Sequence, residues 1–502
     1  MSWQCWCRSF LNCLASCRPW QPGCWPWRRS CGWRQNDFLQ ESPTPQRTFE
    51  FEHEVEQKLR AAGRKVVEAT YNSAEGDSSG DETTPALPAR VKIAGQEYRR
   101  NRKTPREVAT LFGKIKLRRC IYQSCEPGQP GIAPLEHRLG IVAGAATPAL
   151  ADEAARWQAD LPQQQTRTIL RQRHGVSWAD ATLRKVVAGV AERYEPHRAA
   201  AGEARLLELL KKAEKSAGKH APTLSVGRDG VMVPMRPCWQ EAACATVSVL
   251  SRRGERLGTV YLGQMPEPGQ GTLTAELTSL LTQTLRNWHG QLPRLHYVTD
   301  AGTHPQDYYR YRLAWMKHPR TGEKLKWTWN VDFYHGAERV SVLAEALFGS
   351  GPEAEAWASK QRHVLKEKPQ GASRVVQRAK ALRHQHGLSC SAKAFNGACD
   401  YLKKYSPHMD YAACQRLKLP IGSGVTEAAC KTIFGARFKQ SGMRWGEEHS
   451  HHILHLRLIH KSQLWKEVRT AALADYTPSE TLNPTPNCRT TPQKRLKCLL
   501  PA

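Results

Sequence analysis

"IGSGVTEAACK", residues 421–431, sets one carboxylate, Glu427, behind a Gly-Ser-Gly run and ahead of Ala428 and Ala429. The glycines suit a tight approach of backbone, and small residues after the acid let a helix that starts here pack closely on a sheet. Lys431, four residues on, shares a helix face with Glu427. Two other acids stand in strand-like surroundings, Asp229 in "LSVGRDGVMVPM" and Asp300 in "LHYVTDAGTHP". Carboxylates on neighbouring strands and a facing helix can converge although they lie far apart in the chain. Three of them at one point suit two-metal phosphoryl transfer, in which ions about 3.5–4 Å apart activate a water or a 3′-hydroxyl and stabilise the leaving oxygen. Each acid also has an ordinary explanation: Asp229 before Gly230 as a turn residue, Asp300 before Ala301 and Gly302 as a helix cap, and Glu427 as a first-turn acid on the helix dipole.

The 502 residues include 74 Lys and Arg against 46 Asp and Glu, a net charge of +28, and the basic residues are spread over every long segment. Such a field favours a polyanion, most simply nucleic acid. No apolar run reaches the length of a membrane span. Cys5, Cys7, Cys13, Cys17, Cys24 and Cys31 crowd the start of the chain among tryptophans, and the other cysteines are scattered. None of the spacings makes a tetrahedral zinc site, so free thiols in a reducing cytoplasm are expected.

Local patterns divide the chain. Residues 1–46 form a Cys/Trp-rich leader expected to be disordered, and 47–92 a charged helix with a linker of "YNSAEGDSSGDETTPALPAR" composition. Residues 93–147 read as a basic β-hairpin turning at Phe112 and Gly113. Between 148 and 220, "PALADEAARWQAD", "QQQTRTILRQRHG" and "SWADATLRKVVAGVAERY" give three amphipathic helices, with a Gly closing the second and Ser177 as N-cap of the third. That is the spacing of a helix-turn-helix, and of any small bundle. Arg171, Arg173, Arg184 and Lys185 lie on its last two helices and are expected to contact DNA, as are Lys431 and Arg437 near the glutamate. Trp178 and Thr182 sit near the start of the third helix, Trp178 fitting a core position equally well. Residues 221–336 turn to short β-runs, 337–418 to helices broken at 349–352 and 369–371, 419–470 to the glutamate helix, and 471–502 to a tail of disordered composition.

"SVGRDGVMVPMR", "HYVTDAG", "WNVDFYHGAERVSVLAEALFG" and above all "LPIGSGVTEAACKTIFGARFKQSGMRW" resemble the blocks of bacterial insertion-sequence transposases of the ISKra type, over about 112–465. The resemblance implies a DDE transposase with an RNase H-like α/β core, an all-α insertion before the glutamate helix, and a preceding helix-turn-helix-like region. It implies Asp229, Asp300 and Glu427 as a triad binding two Mg2+ (or Mn2+) ions. "DFYH" is similar to the Asp/Cys-x-x-His spacing found after the second aspartate in Mutator-like and related transposases, which adds His335 to the candidate catalytic residues and sets Asp332 beside it. The implied activity is binding of the element's terminal inverted repeats, DNA cleavage and strand transfer into target DNA, by a homo-oligomer assembled on DNA at the bacterial nucleoid. A catalytically inactive, transposase-derived DNA-binding protein and an RNase H-like nuclease are the alternatives. The leader has no counterpart in the family, and residues up to about Gln46 are expected to be dispensable for folding.

Overall fold

Residues 42, 44–75, 87–93, 96–126, 128–385, 387, 392–476 and 483–484 are described by the computed structural model, and they divide between units 1–70 and 71–502. Nearly all of the Cys/Trp leader, the centre of the linker and most of the tail lie outside them. Helix α1 (Pro45–Ser73), all but its last three residues in the first unit, carries Glu-to-Lys and Glu-to-Arg pairs at i,i+4, Glu54 with Lys58 and Glu56 with Arg60, and has no buried residue. These pairs support the helix, which exposes Phe49, Leu59 and Val66 beside its charged residues.

The second unit opens with β1 (Arg90–Ile93), β2 (Gln96–Thr110) and β3 (Gly113–Ser124), antiparallel in the order β3-β2-β1. The expected hairpin is present, with Gly113 at φ 110° taking the backbone shape that the Leu111–Phe112 turn requires. Lys114, Lys116 and Arg118 alternate outward while Ile115 and Leu117 are buried. Residues 483–484 of the expected disordered tail pair with β1.

Helices α2 (Pro134–Arg138), α3 (Pro148–Asp160), α4 (Gln163–His174) and α5 (Asp180–Glu214) follow. Gly175 closes α4 in the left-handed region at φ 64°, as its position foretold. Two expectations need correction. The N-cap of α5 is Ala179, which makes no side-chain cap bond, so Ser177 is not the cap. The third helix also runs on for 35 residues, because Leu206, Leu209, Leu210 and Ala213 extend its apolar stripe into a second core.

A five-stranded sheet follows from β4 (Thr223–Pro234), β5 (Trp239–Leu250), β6 (Arg256–Gln264), helix α6 (Gly271–Asn287), β7 (Arg294–Thr299), α7 (Thr303–Tyr311) and β8 (Trp327–Val331). Its order is β6-β5-β4-β7-β8; β4 to β6 are an antiparallel meander, and β7 and β8 run parallel to β4. This is a mixed α/β fold. One face is apolar, with Leu224, Val226, Ala245, Val247 and Tyr297 packed on the end of α5 and on α6. The expected helical segment appears as α8 (Phe333–Phe348), α9 (Pro352–Glu367), α10 (Gly371–Gln385), α11 (Lys393–Tyr405) and α12 (Tyr411–Arg416), whose apolar residues join the same cluster.

Helix α13 (Gly424–Ala429) passes without a break into a π-helical turn (Cys430–Gly435), and α14 (Glu447–Lys461) and α15 (Trp465–Ala474) complete the unit. Ile453, Leu454 and Val468 share a core with Leu150, Ala154, Leu183 and Val187, so 148–214 is not a separate body from the helices after the glutamate. A π-turn displaces carbonyls from the regular ladder. Arg457, buried on α14, answers them: its guanidinium donates to Thr432 O and to Ile433 O (2.7 Å), and reaches Ala159 O (2.8 Å) and Asp160 Oδ1 (2.5 Å) at the end of α3. Burial pushes the Asp160 carboxyl up, but bonds from His460 and Lys461 and the charge of Arg457 bring it well below the usual carboxylate range. Removing one partner of such a buried network leaves the others unpaired. Arg457→Met should lower the unfolding free energy by about 3 kcal/mol, read as the urea midpoint, while the exposed Arg374→Met stays within about 0.5 kcal/mol.

Candidate active site

The parallel strands place the acids on one row. Gly227 of β4 pairs with Val298 of β7, and Val298 with Asn330 of β8. Two residues further along each strand, on the same face and at the same level, come Asp229, Asp300 and Asp332. Further back on the same face a polar chain is satisfied: Ser225 Oγ lies 3.0 Å from His296 Nδ1, and His296 Nε2 3.1 Å from Asn330 Oδ1. Burial holds the His296 ring neutral, its pKa lowered to about 4.

Helix α13 crosses this face at Gly227. A Cβ on Gly227 would stand 1.9 Å from Thr426 Oγ1, so only glycine admits the helix at this distance. The Thr426 hydroxyl meets that of Thr246 on β5 at 2.8 Å. The small residues after the acid were expected to make the close contact; Ala429 is buried but Ala428 is exposed, and Thr426 makes the contact. Glu427 follows Thr426, and Cys430, one turn later, brings its Sγ to 3.5 Å from Asp229 Oδ2. Cys244 is the cross-strand partner of Asp229. A bond with the Cys244 thiol, burial and the charge of Asp229 all push the Cys430 thiol up, so it stays protonated and donates to the carboxylate.

Asp229 senses the other two acids. Burial raises its pKa most, the charge of Asp300 adds to this, and Glu427 adds a further increment; the Gly230 N–H (2.8 Å) and the Cys430 thiol oppose it. Asp300 accepts from the Gly302 N–H at 3.0 Å, and the residue between them, Ala301, is held in the left-handed region at φ 67°. Glu427 Oε1 lies 2.8 Å from Ser423 Oγ, whose one hydroxyl proton is shared between it and Asp332.

Asp332 is fully buried and acts as an anchor. One oxygen caps α8 through the Tyr334 N–H (2.5 Å) and the His335 N–H (3.4 Å); the other accepts from the Ser423 amide and hydroxyl, the latter at 2.6 Å. Ser423 therefore ties the end of β8 to Glu427. His335 is half-exposed, with Nδ1 3.3 Å from Glu338 Oε2, and among the described residues it bonds none of the three acids. The sequence drew attention to Asp332 and His335 as a pair, and the structure engages the aspartate. Ser423, Thr426, Gly227 and Cys430 were not singled out. Gly227 had a signal in its position two residues before Asp229, on the same strand face.

Arg171, Arg173, Arg184, Lys185 and Lys431 are exposed, and none forms a salt bridge among the described residues. Arg437 is a correction. It is buried, donates to Gln158 O at 3.2 Å and lies 4.9 Å from the Trp445 ring centre, so it belongs to the core. Trp178 is buried as well, with its core alternative realised.

The donors at Asp229, Asp300 and Glu427 are hard oxygens whose mutual repulsion a divalent cation would relieve, and in that chemistry they fit Mg2+ or Mn2+. Among the described residues no group of three or more His, Cys, Asp or Glu side chains is gathered closely enough to hold a metal ion, so the carboxylates would have to draw together around one. Compared with known proteins, the chain matches no family profile and no curated sequence.

Two outcomes test this geometry. Gly227→Ala should destabilise the protein by about 1–3 kcal/mol in urea unfolding, with partial recovery in the Gly227→Ala/Thr426→Ala double variant. Asp229→Asn tests the electrostatics. A carboxyl whose folded pKa is raised loses stability as pH climbs from its unfolded value through its folded one, because the folded state then holds the extra proton. The asparagine variant should therefore melt above the wild type at pH 7, and the gap should close as pH falls to about 4.

Proposed function

We propose that the chain is a DDE-type DNA transposase with an RNase H-like core, which binds the terminal inverted repeats of a mobile element, cleaves DNA there and joins the freed 3′-hydroxyl to target DNA. The observation that carries this reading is the acid row: Asp229 and Asp300 level on adjacent parallel strands, with Glu427 brought over them and both charges acting on Asp229. The strand order, with an antiparallel meander followed by two parallel strands, supports it. So does the all-helical segment between Asp332 and the glutamate helix.

When bound, two Mg2+ or Mn2+ ions supply an acidified water and charge stabilisation at the phosphate, and Asp229, Asp300 and Glu427 are the residues that would hold them. The rest of the work falls to the chain. Cys430 and Gly230 fix the Asp229 carboxylate by donating to opposite oxygens. Ser423, bound through its amide to Asp332, sets its hydroxyl 2.8 Å from Glu427 Oε1. The exposed cations of α4 and α5 supply phosphate contacts that set the register of a duplex, leaving a few base contacts to specify the element end. DNA contact at Arg171, Arg173, Arg184, Lys185 and Lys431, and assembly of several copies on DNA, are parts of this proposal.

The test uses a duplex carrying the element's terminal repeat. Asp229→Asn, Asp300→Asn and Glu427→Gln should each reduce Mg2+-dependent strand cleavage and joining on the order of 100-fold or more and retain DNA binding. Asp307→Asn, on α7, should stay within a few-fold of wild type. Mn2+ should raise the melting temperature of the wild type and leave that of Asp229→Asn unmoved. Arg184→Ala/Lys185→Ala should weaken end-binding more than binding to random DNA. Full cleavage by all three amide variants would overturn the triad. Binding without cleavage by the wild type would make the chain a DNA-binding derivative, and cleavage without preference for the repeat would make it a nuclease.

A further inference from the structure

A cavity of about 470 Å³ opens beside the acid row, on the same face of the sheet. That volume falls within the range of about 300–1,000 Å³ usual for ligand pockets. Its floor is the small, polar continuation of the site: Ser225, Gly227, Thr246 and Ser248. Leu250, Val298, Leu419 and Pro420 give it apolar walls. Its rim carries Arg253, Arg256 and Lys418, all exposed, and none of them forms a salt bridge among the described residues. Ser423 and Thr426, which fix Glu427, form the wall shared with the acids.

The rim is held by local backbone features. Lys418 ends α12 in the left-handed region at φ 57°, a position where glycine is the unstrained choice. Retaining a lysine there keeps a cation at the cavity mouth against a backbone penalty, and strain of this kind collects where function needs the side chain. The β5–β6 turn closes against the same residue. A Cβ on Gly254 would lie 2.6 Å from Lys418 O, so glycine lets the turn carrying Arg253 come up to the Lys418 backbone.

Apolar walls, hydroxyls on the floor and a cationic mouth match a ligand with a flat, partly apolar body, hydrogen-bonding edges and an anionic group at one end. We infer that this cavity is a nucleotide subsite, taking a base inside and its phosphate on Arg253, Arg256 and Lys418. The nucleotide can come free from solution or as an unpaired residue of a DNA strand. The strand source rests on the DNA-cleaving reading; the free source does not.

Two arms on the full chain separate these. In the first, thymidine 5′-monophosphate and deoxyadenosine 5′-monophosphate are titrated calorimetrically into wild type, Lys418→Gly, and Arg253→Ala/Arg256→Ala/Lys418→Gly. Lys418→Gly removes the cation while relieving the backbone strain, so its melting temperature should match or exceed that of the wild type and a loss of binding cannot be laid to unfolding. In the second, a blunt duplex is compared with the same duplex bearing a three-nucleotide single-stranded extension. The inference expects the wild type to bind a monophosphate, the extended duplex more tightly than the blunt one, or both, and the triple variant to lose that binding or that gain about tenfold with blunt-duplex affinity unchanged. It is overturned if the wild type shows neither effect, or if the triple variant keeps them. Failure of the wild type to bind the blunt duplex at all would count against the DNA reading, and the monophosphate arm would still decide the cavity.

Discussion

The approach of Thr426 to Gly227 governs the arrangement of everything near the acids. A helix normally sits on a sheet at a distance set by the side chains between them. Here a strand residue without a side chain meets a threonine whose hydroxyl is taken up by Thr246. That contact fixes both the height and the rotation of α13. Glu427 and Cys430 are then carried to Asp229 as a consequence of helix geometry, one residue and one turn beyond Thr426. The same close approach leaves the neighbouring polar floor, from Ser225 to Ser248, as one wall of a cavity beside the acids.

Three aspartates occupy level positions on three parallel strands, Asp229 within β4 and Asp300 and Asp332 just past the ends of β7 and β8, and their surroundings divide the labour. Asp332 is sunk completely and surrounded by donors: two amides of α8, and the amide and hydroxyl of Ser423. A buried carboxylate so fully answered is structural. Asp229 has fewer donors; burial raises its proton affinity most, and its two acidic neighbours add to the rise. Ser423 sits between Asp332 and Glu427 with one hydroxyl proton, which can go to only one of the two carboxylates at a time. The anchoring acid and the glutamate are thus linked through a hydroxyl that must choose between them, and the orientation of Glu427 depends on that choice.

Much of this was legible before the structure. The α3 and α4 boundaries, the Gly175 stop, the hairpin about Gly113, the breaks in the helical segment and the strand following Leu325 all follow from periodicity and punctuation, because the local signal and the fold agree there. Glu427 in a first helical turn and Asp300 just past a strand were readable for the same reason. The misreadings share a different cause. Ser177 looks like a cap, but tertiary packing of Val176 and Trp178 starts the helix later. The third helix looked short because its apolar stripe changes core partway along. Arg437 looked like a surface cation because its burial depends on carbonyls and an indole from distant segments. Register is likewise invisible locally: that Asp332 falls level with Asp229 and Asp300 becomes apparent only once β8 is paired with β7.

Helix α5 joins the two cores. At 35 residues and 1.5 Å per residue it spans about 50 Å, with Leu183 to Tyr194 packed among α3, α14 and α15, and Leu206 to Ala213 packed beneath the sheet that bears Asp229. Pro196 removes one ladder bond between these stretches. Both flanks are nonetheless held by buried apolar residues, so the break has packing on either side to restrain it. Arg184 and Lys185 stand in the first turns of this helix, and the carbonyls of the π-turn after Glu427 are bound by Arg457 to the end of α3, which packs on the same half of α5. The exposed cations and the acids are consequently fixed to one continuous framework from both sides: through the helix to β4, and through Arg457 to the glutamate helix. A duplex gripped at α4 and α5 would be presented to the acids at a distance set by that framework.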